Sequence, residues 1–258
     1  MTIDRPPPPP PPPPPAWVVV PCYNEAKRLQ PSAFLEFLCT PVHVHFVNDG
    51  SSDATAAVLA TLCEGSQGQF SFENLEHNLG KAEAVRHGLL HALNQGAVSV
   101  GFLDADLSTP PSEMLRLLAH LQANPQLQVL LGARIRLLGH QVQRSPLRHY
   151  LGRVFATAAS LTLAKPIYDT QCGAKWFAAG PGLRAALSEP FESRWIFDVE
   201  LLARLLHGWQ GQDALAGDAI AELPLQQWRD VAGSKLSAAA MARAALDLAR
   251  IAQRLRRS

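Results

Sequence analysis

Short β-branched runs that each end in a polar motif, separated by helix-length segments, constrain this chain more than any other feature. Trp17-Val18-Val19-Val20 closes at Pro21, His43-Val44-His45-Phe46-Val47 at Asn48-Asp49-Gly50, and Val98-Ser99-Val100-Gly101-Phe102-Leu103 at Asp104. Runs of this kind read as buried strands. Residues 71–75 form a weaker strand pattern and 128–131 another, while 54–62, 81–93 and 113–121 carry helical spacing. Ser52 or Asp53 is placed to cap the first of these helices. The alternation predicts an α/β fold whose mainly parallel sheet carries helices on both faces. Ligands of such sheets bind at the carboxyl ends of the strands. The polar motifs fall there.

The second half is less regular. Residues 148–163 read as an amphipathic helix with Leu147, Leu151, Val154, Ala158 and Leu161 on one face. Residues 169–177 read as a turn and strand, and 197–206 as a helix. A last helix over 237–257 has Met241, Leu248, Ile251 and Leu255 in its apolar stripe, with Arg243, Arg250, Arg254 and Arg257 toward the other side. Pro6 to Pro15 is an unbroken proline tract, which predicts a stiff polyproline II spacer; a ligand for a proline-reading domain is the other reading. The expected organisation is a disordered leader over 1–15, one domain over 16–236 and a basic amphipathic helix over 237–258.

A net charge of +1 offers no global field for nucleic acid, so nucleic acid is not an expected partner. The four scattered cysteines contain no C-x-x-C pair and fit a reducing compartment. No run of about 18 apolar residues occurs. The expectation is a cytoplasmic protein, with peripheral contact at the inner face of a membrane left open by the basic last helix.

Asp104-Ala105-Asp106 follows an apolar strand directly, so both carboxylates can approach one divalent cation; Mg2+ and Mn2+ want such oxygen ligands together with phosphate oxygens. A solvated acidic loop is the bland alternative. Asp49 can accept hydrogen bonds from a base or ribose, or simply belong to a strand-to-helix turn. Tyr23 and Glu25, after the first strand, offer a ring for stacking and a carboxylate. Neither a G-x-G-x-x-G after the first strand nor a G-x-x-x-x-G-K-[ST] occurs, which disfavours dinucleotide oxidoreductases and P-loop phosphotransferases.

In this order, Val18-Val19-Val20-Pro21-Cys22-Tyr23-Asn24-Glu25, Val47-Asn48-Asp49-Gly50-Ser51-Ser52-Asp53, Asn78-Leu79-Gly80-Lys81 and Asp104-Ala105-Asp106-Leu107-Ser108 resemble the motifs of family 2 glycosyltransferases with the GT-A fold. Residues 169–177, 194–201 and 228–236 are similar to the dolichyl-phosphate β-glucosyltransferase and polyprenyl-phosphate branch. The resemblance implies a single GT-A domain in which Pro21, Tyr23, Glu25, Val47 and Asp49 line the nucleoside pocket. Asp104, Ala105 and Asp106 would address the ribose and, through Mg2+ or Mn2+, the diphosphate. Arg134 would approach the donor sugar or phosphates, Arg229 and Lys235 would close over the pyrophosphate, and Lys81 and Arg86 would lie nearby. Two departures stand out: Ser108 occupies a position where related mannosyl-phosphate enzymes often carry glutamine, and Asn48 replaces the usual first aspartate.

The implied reaction is an inverting transfer of a hexose, glucose from UDP-glucose by the branch motifs, to a polyprenyl or dolichyl phosphate. A leaving diphosphate needs its charge neutralised. A phosphate acceptor is largely dianionic at neutral pH, its second pKa being about 6, so it needs cations rather than a general base. Arg144, Arg148 and Arg153 are candidates to hold it, against the plain reading of a solvated helix face. Asp169 is expected to orient Arg148 or act as a base, with a structural ion pair as the other reading; Gln171, Trp195 and Asp198 are expected to shape the acceptor entrance, with a core position as the other reading for Trp195. Two alternatives stay open: a family 2 enzyme acting on a sugar hydroxyl, and a nucleotide-sugar-binding scaffold without activity.

Overall fold

A computed structural model describes residues 15–143, 146–231 and 238–255. Arg144, Lys235 and all of the proline tract except Pro15 lie outside the described residues, as does the side chain of Arg148. In chain order the elements are β1 (Ala16–Cys22), α1 (Pro31–Phe34), β2 (Val42–Asn48), α2 (Thr55–Glu64), β3 (Phe70–Asn74), α3 (Lys81–Asn94), β4 (Ser99–Leu103), α4 (Pro111–Ala123), β5 (Val129–Ala133), β6 (Gln141–Gln143), α5 (Pro146–Leu163), β7 (Ala174–Ala178), α6 (Pro181–Leu187), α7 (Phe197–His207), β8 (Ile220–Pro224), β9 (Gln227–Arg229) and α8 (Ala238–Leu255).

Seven strands form one sheet in the order β3-β2-β1-β4-β7-β5-β8, and β6 pairs with β9 beside it. The pairs β1–β2, β1–β4, β2–β3 and β5–β8 are parallel; β7 runs antiparallel to both β4 and β5. The mainly parallel α/β sheet expected from the sequence is therefore present, with one reversed strand in its interior.

Period-two alternation divides the core into two layers. Val18, Val20, Val44 and Phe46 pack with Phe34, Leu59, Met114 and Leu117 on the face covered by α1, α2 and α4. Val19, Val47 and Phe102 pack with Leu89, Ala159, Leu202 and Leu248 on the face covered by α3, α5, α6, α7 and α8. Both faces are covered, so all five residues of β4 and of β5 are buried. That burial explains why these strands read as continuous apolar runs.

Two local expectations are corrected. Asp53 does not cap α2: Ala54 is the cap residue, and the Asp53 carboxylate instead accepts the Thr55 amide at 3.0 Å and the Ala26 amide at 3.2 Å, tying the helix start to the loop after β1. The buried side of α5 is Ala156, Ala159 and Leu163, while Val154 and Leu161 are 69% and 78% exposed. Apolar residues surround that helix, so spacing alone could not choose the face; the small alanines allow close packing on α7 and α8. In α8, Ala244, Leu248 and Ile251 are buried against the domain and Arg243 and Arg250 are outward.

Candidate active site

β1, β2 and β4 run parallel and end side by side, so the motifs after them converge at one edge of the sheet. After β4, the Asp104 amide donates to the Gly173 carbonyl at 3.0 Å, joining the acid motif to the segment that leads into β7. A Cβ on Gly173 would fall 2.1 Å from Asp104 Oδ2, so only glycine leaves room for that carboxylate. Asp104 Oδ1 is buried and pairs with Lys81 Nζ at 2.5 Å. Lys81 opens α3. Burial works against its charge, but Asp104, Asp198 and Asp106 outweigh it and hold the ammonium pKa above its ordinary value.

Asp106 turns the chain: its Oδ1 accepts the Ser108 amide at 2.9 Å, and Leu107 takes a positive φ of 50°. The Arg229 amide donates to the Ser108 carbonyl at 2.9 Å, which brings β9 against the acid motif. Arg229 Nη2 reaches Gln30 Oε1 at 3.5 Å, and Arg28 lies close enough to Asp106 for that carboxylate to support its charge. The donor set of Asp104 and Asp106 is all oxygen, and the Asp104 oxygen nearest Lys81 is already paired with that ammonium. These residues fit Mg2+ or Mn2+.

Several expected site residues are already engaged. The Asp49 carboxylate accepts the Leu79 amide at 2.7 Å, the Gly80 amide at 2.9 Å and Asn78 Nδ2 at 3.1 Å, so it shapes the loop before α3. Gly50 has φ +61°, and a Cβ there would meet the Asn78 nitrogen at 2.5 Å. The two loops are packed backbone to backbone. Glu25 is bound by Arg28. Val47 is wholly buried, Pro21 is partly buried and Ala105 is buried, while Tyr23 is exposed at the strand ends. Arg86 does not join Lys81: it bonds Glu83 at 2.8 Å and the Leu187 carbonyl at 3.1 Å, linking α3 to α6.

A second group lies beyond β5. Arg134 and Asp169 form a bidentate pair, Nε–Oδ2 2.7 Å and Nη2–Oδ1 2.8 Å, over the Trp228 ring. Burial opposes the Arg134 charge, yet Asp169 holds its pKa above the ordinary value. Asp169 thus orients Arg134, where the sequence suggested Arg148. Arg153 donates to the Tyr168 carbonyl at 2.8 Å and stacks on that ring at 3.8 Å. Asp198 is buried beneath the site rather than at an entrance, paired with Lys175 at 2.5 Å. Gln171 keeps a buried Nε2 without a hydrogen bond, and Trp195 is 53% exposed beside Arg194, whose stem packs over Gly80.

Sequence reasoning missed Arg28, Gly173, Glu222 and the Lys175 partnership. Glu222 accepts the Tyr168 and Asp169 amides at 2.6 and 2.7 Å, and burial raises its pKa. Arg28 carried a usable signal, since it lies three residues after Glu25, a helical pairing distance; the others depend on contacts distant in sequence.

A mainly parallel sheet whose strand ends gather paired acids, a lysine and two arginines is suited to a phosphorylated ligand and a divalent cation, and the comparisons with known proteins give the class: a GT-A glycosyltransferase. The chain belongs to glycosyl transferase family 2, whose family model matches residues 17–179. It is 31% identical over 248 residues to the dolichyl-phosphate beta-glucosyltransferase ALG5C of Trichomonas vaginalis, covering 91% of this chain and 69% of that relative. It is 34% identical over 238 residues to the dolichyl-phosphate beta-glucosyltransferase of Mus musculus, covering 85% and 68%. Among solved structures, glucosyl-3-phosphoglycerate synthase from Mycobacterium tuberculosis, in complex with Mn2+, uridine diphosphate and glucosyl-3-phosphoglycerate, is similar with a TM-score of 0.65 at 19% identity, over 92% of this chain and 80% of that one. That likeness is one of fold. No helix among the described residues is long and apolar enough to cross a membrane.

Proposed function

We propose that this glycosyltransferase moves glucose from UDP-glucose, with inversion, to a polyprenyl phosphate of the dolichyl type, using Mg2+ or Mn2+ held by Asp104 and Asp106. The observation that carries the reading is the commitment of the nearby acids. A sugar-hydroxyl acceptor needs a general base. Asp169 is locked in a bidentate pair with Arg134 and Asp198 is buried against Lys175, so neither is poised to take a proton. A phosphate acceptor removes that need. The activities for which the relatives in Trichomonas vaginalis and Mus musculus are named point the same way.

The bound cation would supply Lewis-acid neutralisation of the departing diphosphate. The chain's own cations divide the remaining work. Arg229, fixed to Ser108 through its backbone, and Lys235 flank the diphosphate, while Lys81 keeps Asp104 in place. Tyr23, Pro21 and Glu25 bound the nucleoside side. Arg134, whose amide and guanidinium are both held by Asp169, would approach the donor sugar or phosphates, and Arg144 and Arg148 would meet the acceptor phosphate with Gln171 and Trp195 at its approach. The exposed Val154 and Leu161 side of α5 is where the lipid chain, or a membrane surface holding it, would lie. Such contact is peripheral and on the cytoplasmic side.

The test is transfer from a panel of nucleotide sugars to a polyprenyl phosphate with Mg2+ or Mn2+, repeated after chelation and with Asp106→Ala. Transfer to the lipid phosphate, lost in both controls, is expected. Transfer confined to a sugar hydroxyl, or full donor use by Asp106→Ala without metal, would overturn the reading.

A further inference from the structure

The nucleotide edge is not the only place where metal-binding side chains meet. On the face of the sheet covered by α3, His45 of β2 and Glu73 of β3 approach each other, Nε2 to Oε1, at 3.6 Å. His45 is 1% exposed, yet its Nε2 has no hydrogen bond, and neither has Glu73 Oε1. A protonated His45 makes a long ion pair with Glu73; a neutral one leaves two buried polar atoms facing each other without a hydrogen bond, a costly arrangement that a shared ligand relieves. His91 of α3 completes a group whose donor atoms all lie within 4.8 Å of one another. The outer contacts suit such a role as well. His45 Nδ1 meets Ser71 Oγ at 2.9 Å, which fixes the ring and turns Nε2 inward.

We propose that His45, Glu73 and His91 form a zinc-type site, separate from the Asp104 and Asp106 cation, that clamps β2, β3 and α3 together. The donor chemistry separates the two sites. Two imidazoles and a carboxylate select a borderline transition metal, whereas the acid pair offers oxygen alone. Bonds of about 2.0–2.2 Å to a tetrahedral ion place donor atoms roughly 3.3–3.6 Å apart, so the His45–Glu73 pair is nearly spaced for it. The His45 and His91 rings stack at 4.2 Å and 5°, and their in-plane lone pairs converge only when one ring turns. His91 is the partly exposed partner, so it is the ring that would turn, against its contact with Trp17 at 5.8 Å. A fourth position is left for water or for His87, which lies four residues earlier on the same face of α3. The place matters because β2 and α3 carry Asp49 and Lys81 to the strand-end site, and a clamp between them would fix their spacing.

Full-length protein stripped of metal and kept in millimolar Mg2+ should bind one Zn2+ per chain by calorimetry. Co2+ in its place should give the visible absorption of a tetrahedral ion. Binding should survive Asp106→Asn and weaken by more than about 100-fold in Glu73→Gln and His91→Gln, since even outer contacts to a metal ligand are worth 10–100-fold. Zinc should raise the Tm of the native chain and of Asp106→Asn but not of His91→Gln, whose metal-free Tm reports whether it folds. The proposal fails if the stripped chain binds no zinc in the micromolar range, leaving a plain histidine–glutamate pair. It fails equally if zinc binding disappears in Asp106→Asn and persists in His91→Gln.

Discussion

Gly173 shows how a residue without a side chain sets the position of a carboxylate proposed to hold the cation. Its missing Cβ is the space that Asp104 occupies, 2.1 Å from where the atom would be. Gly173→Ala should push that carboxylate aside while leaving the sheet intact. A displacement near 1 Å at reacting groups costs on the order of 100-fold in rate, so kcat/KM for the donor should fall by about that factor with an unchanged circular dichroism spectrum. Wild-type turnover in a folded Gly173→Ala protein would show that Asp104 tolerates the shift. The cysteines give a reading of burial at the same scale. The thiolate is the reactive form, and burial pushes Cys63 and Cys172 up to about 11 and Cys22 higher still, while Cys39 is exposed. At pH 8 a disulfide reagent should therefore label Cys39 rapidly, the half-buried Cys63 more slowly, and Cys22 and Cys172 only after unfolding; fast labelling of Cys172 would contradict its place beneath the site. Asp104 and Asp106 were legible in the sequence because two acids at the end of an apolar strand are unusual. Gly173 and the Lys175–Asp198 pair were not, since each gains its meaning from a residue remote along the chain.

Between elements, Asp49 acts on a loop it does not belong to. Three donors from Asn78, Leu79 and Gly80 converge on its carboxylate, and this fixes where α3 begins and hence where Lys81 stands. Asp49→Ala should release those amides. Hydrogen exchange at Leu79 and Gly80 should accelerate far more than at β2, because loss of a local tether opens a local unit. Equal acceleration throughout β2 and α3 would mean that Asp49 holds the fold rather than the loop. The elements themselves were largely readable: β1, β2, β4, α3 and α4 announce themselves by period and by β-branched residues. Illegible were β6 and β9, with three residues each and too short for any period, and β8, whose residues are all partly buried. The reversal of β7 was also hidden, since a buried strand has the same composition whichever way it runs. The same limit applied to α5, where periodicity identified the helix and chose the wrong face.

Across the whole molecule, α8 decides whether the C-terminal segment stands apart or belongs to the core. Its sequence allowed either, because a basic amphipathic helix can lie on an anionic membrane or on its own domain. Ala244, Leu248 and Ile251 join the cluster of α7 and α5, and Ser193 Oγ donates to Asp247 at 2.8 Å, so the apolar stripe is already engaged. Arg254 reaches Glu189 at 3.2 Å and also pairs with Glu192, but the three side chains keep 38–45% of their surface exposed. Surface pairs of this kind contribute about 0–1 kcal/mol each. A buried Leu→Ala change costs about 2–5 kcal/mol. Packing, then, is what holds α8. Leu248→Ala should lower stability by about that amount, and the loss should scarcely depend on salt. Unfolding followed by far-ultraviolet circular dichroism and by tryptophan fluorescence should shift together, since α8 shares its core with the sheet that carries the acids. If instead helical signal is lost in a separate early step while the fluorescence transition stays in place, α8 is an appendage, and its apolar stripe becomes available to a lipid surface after all.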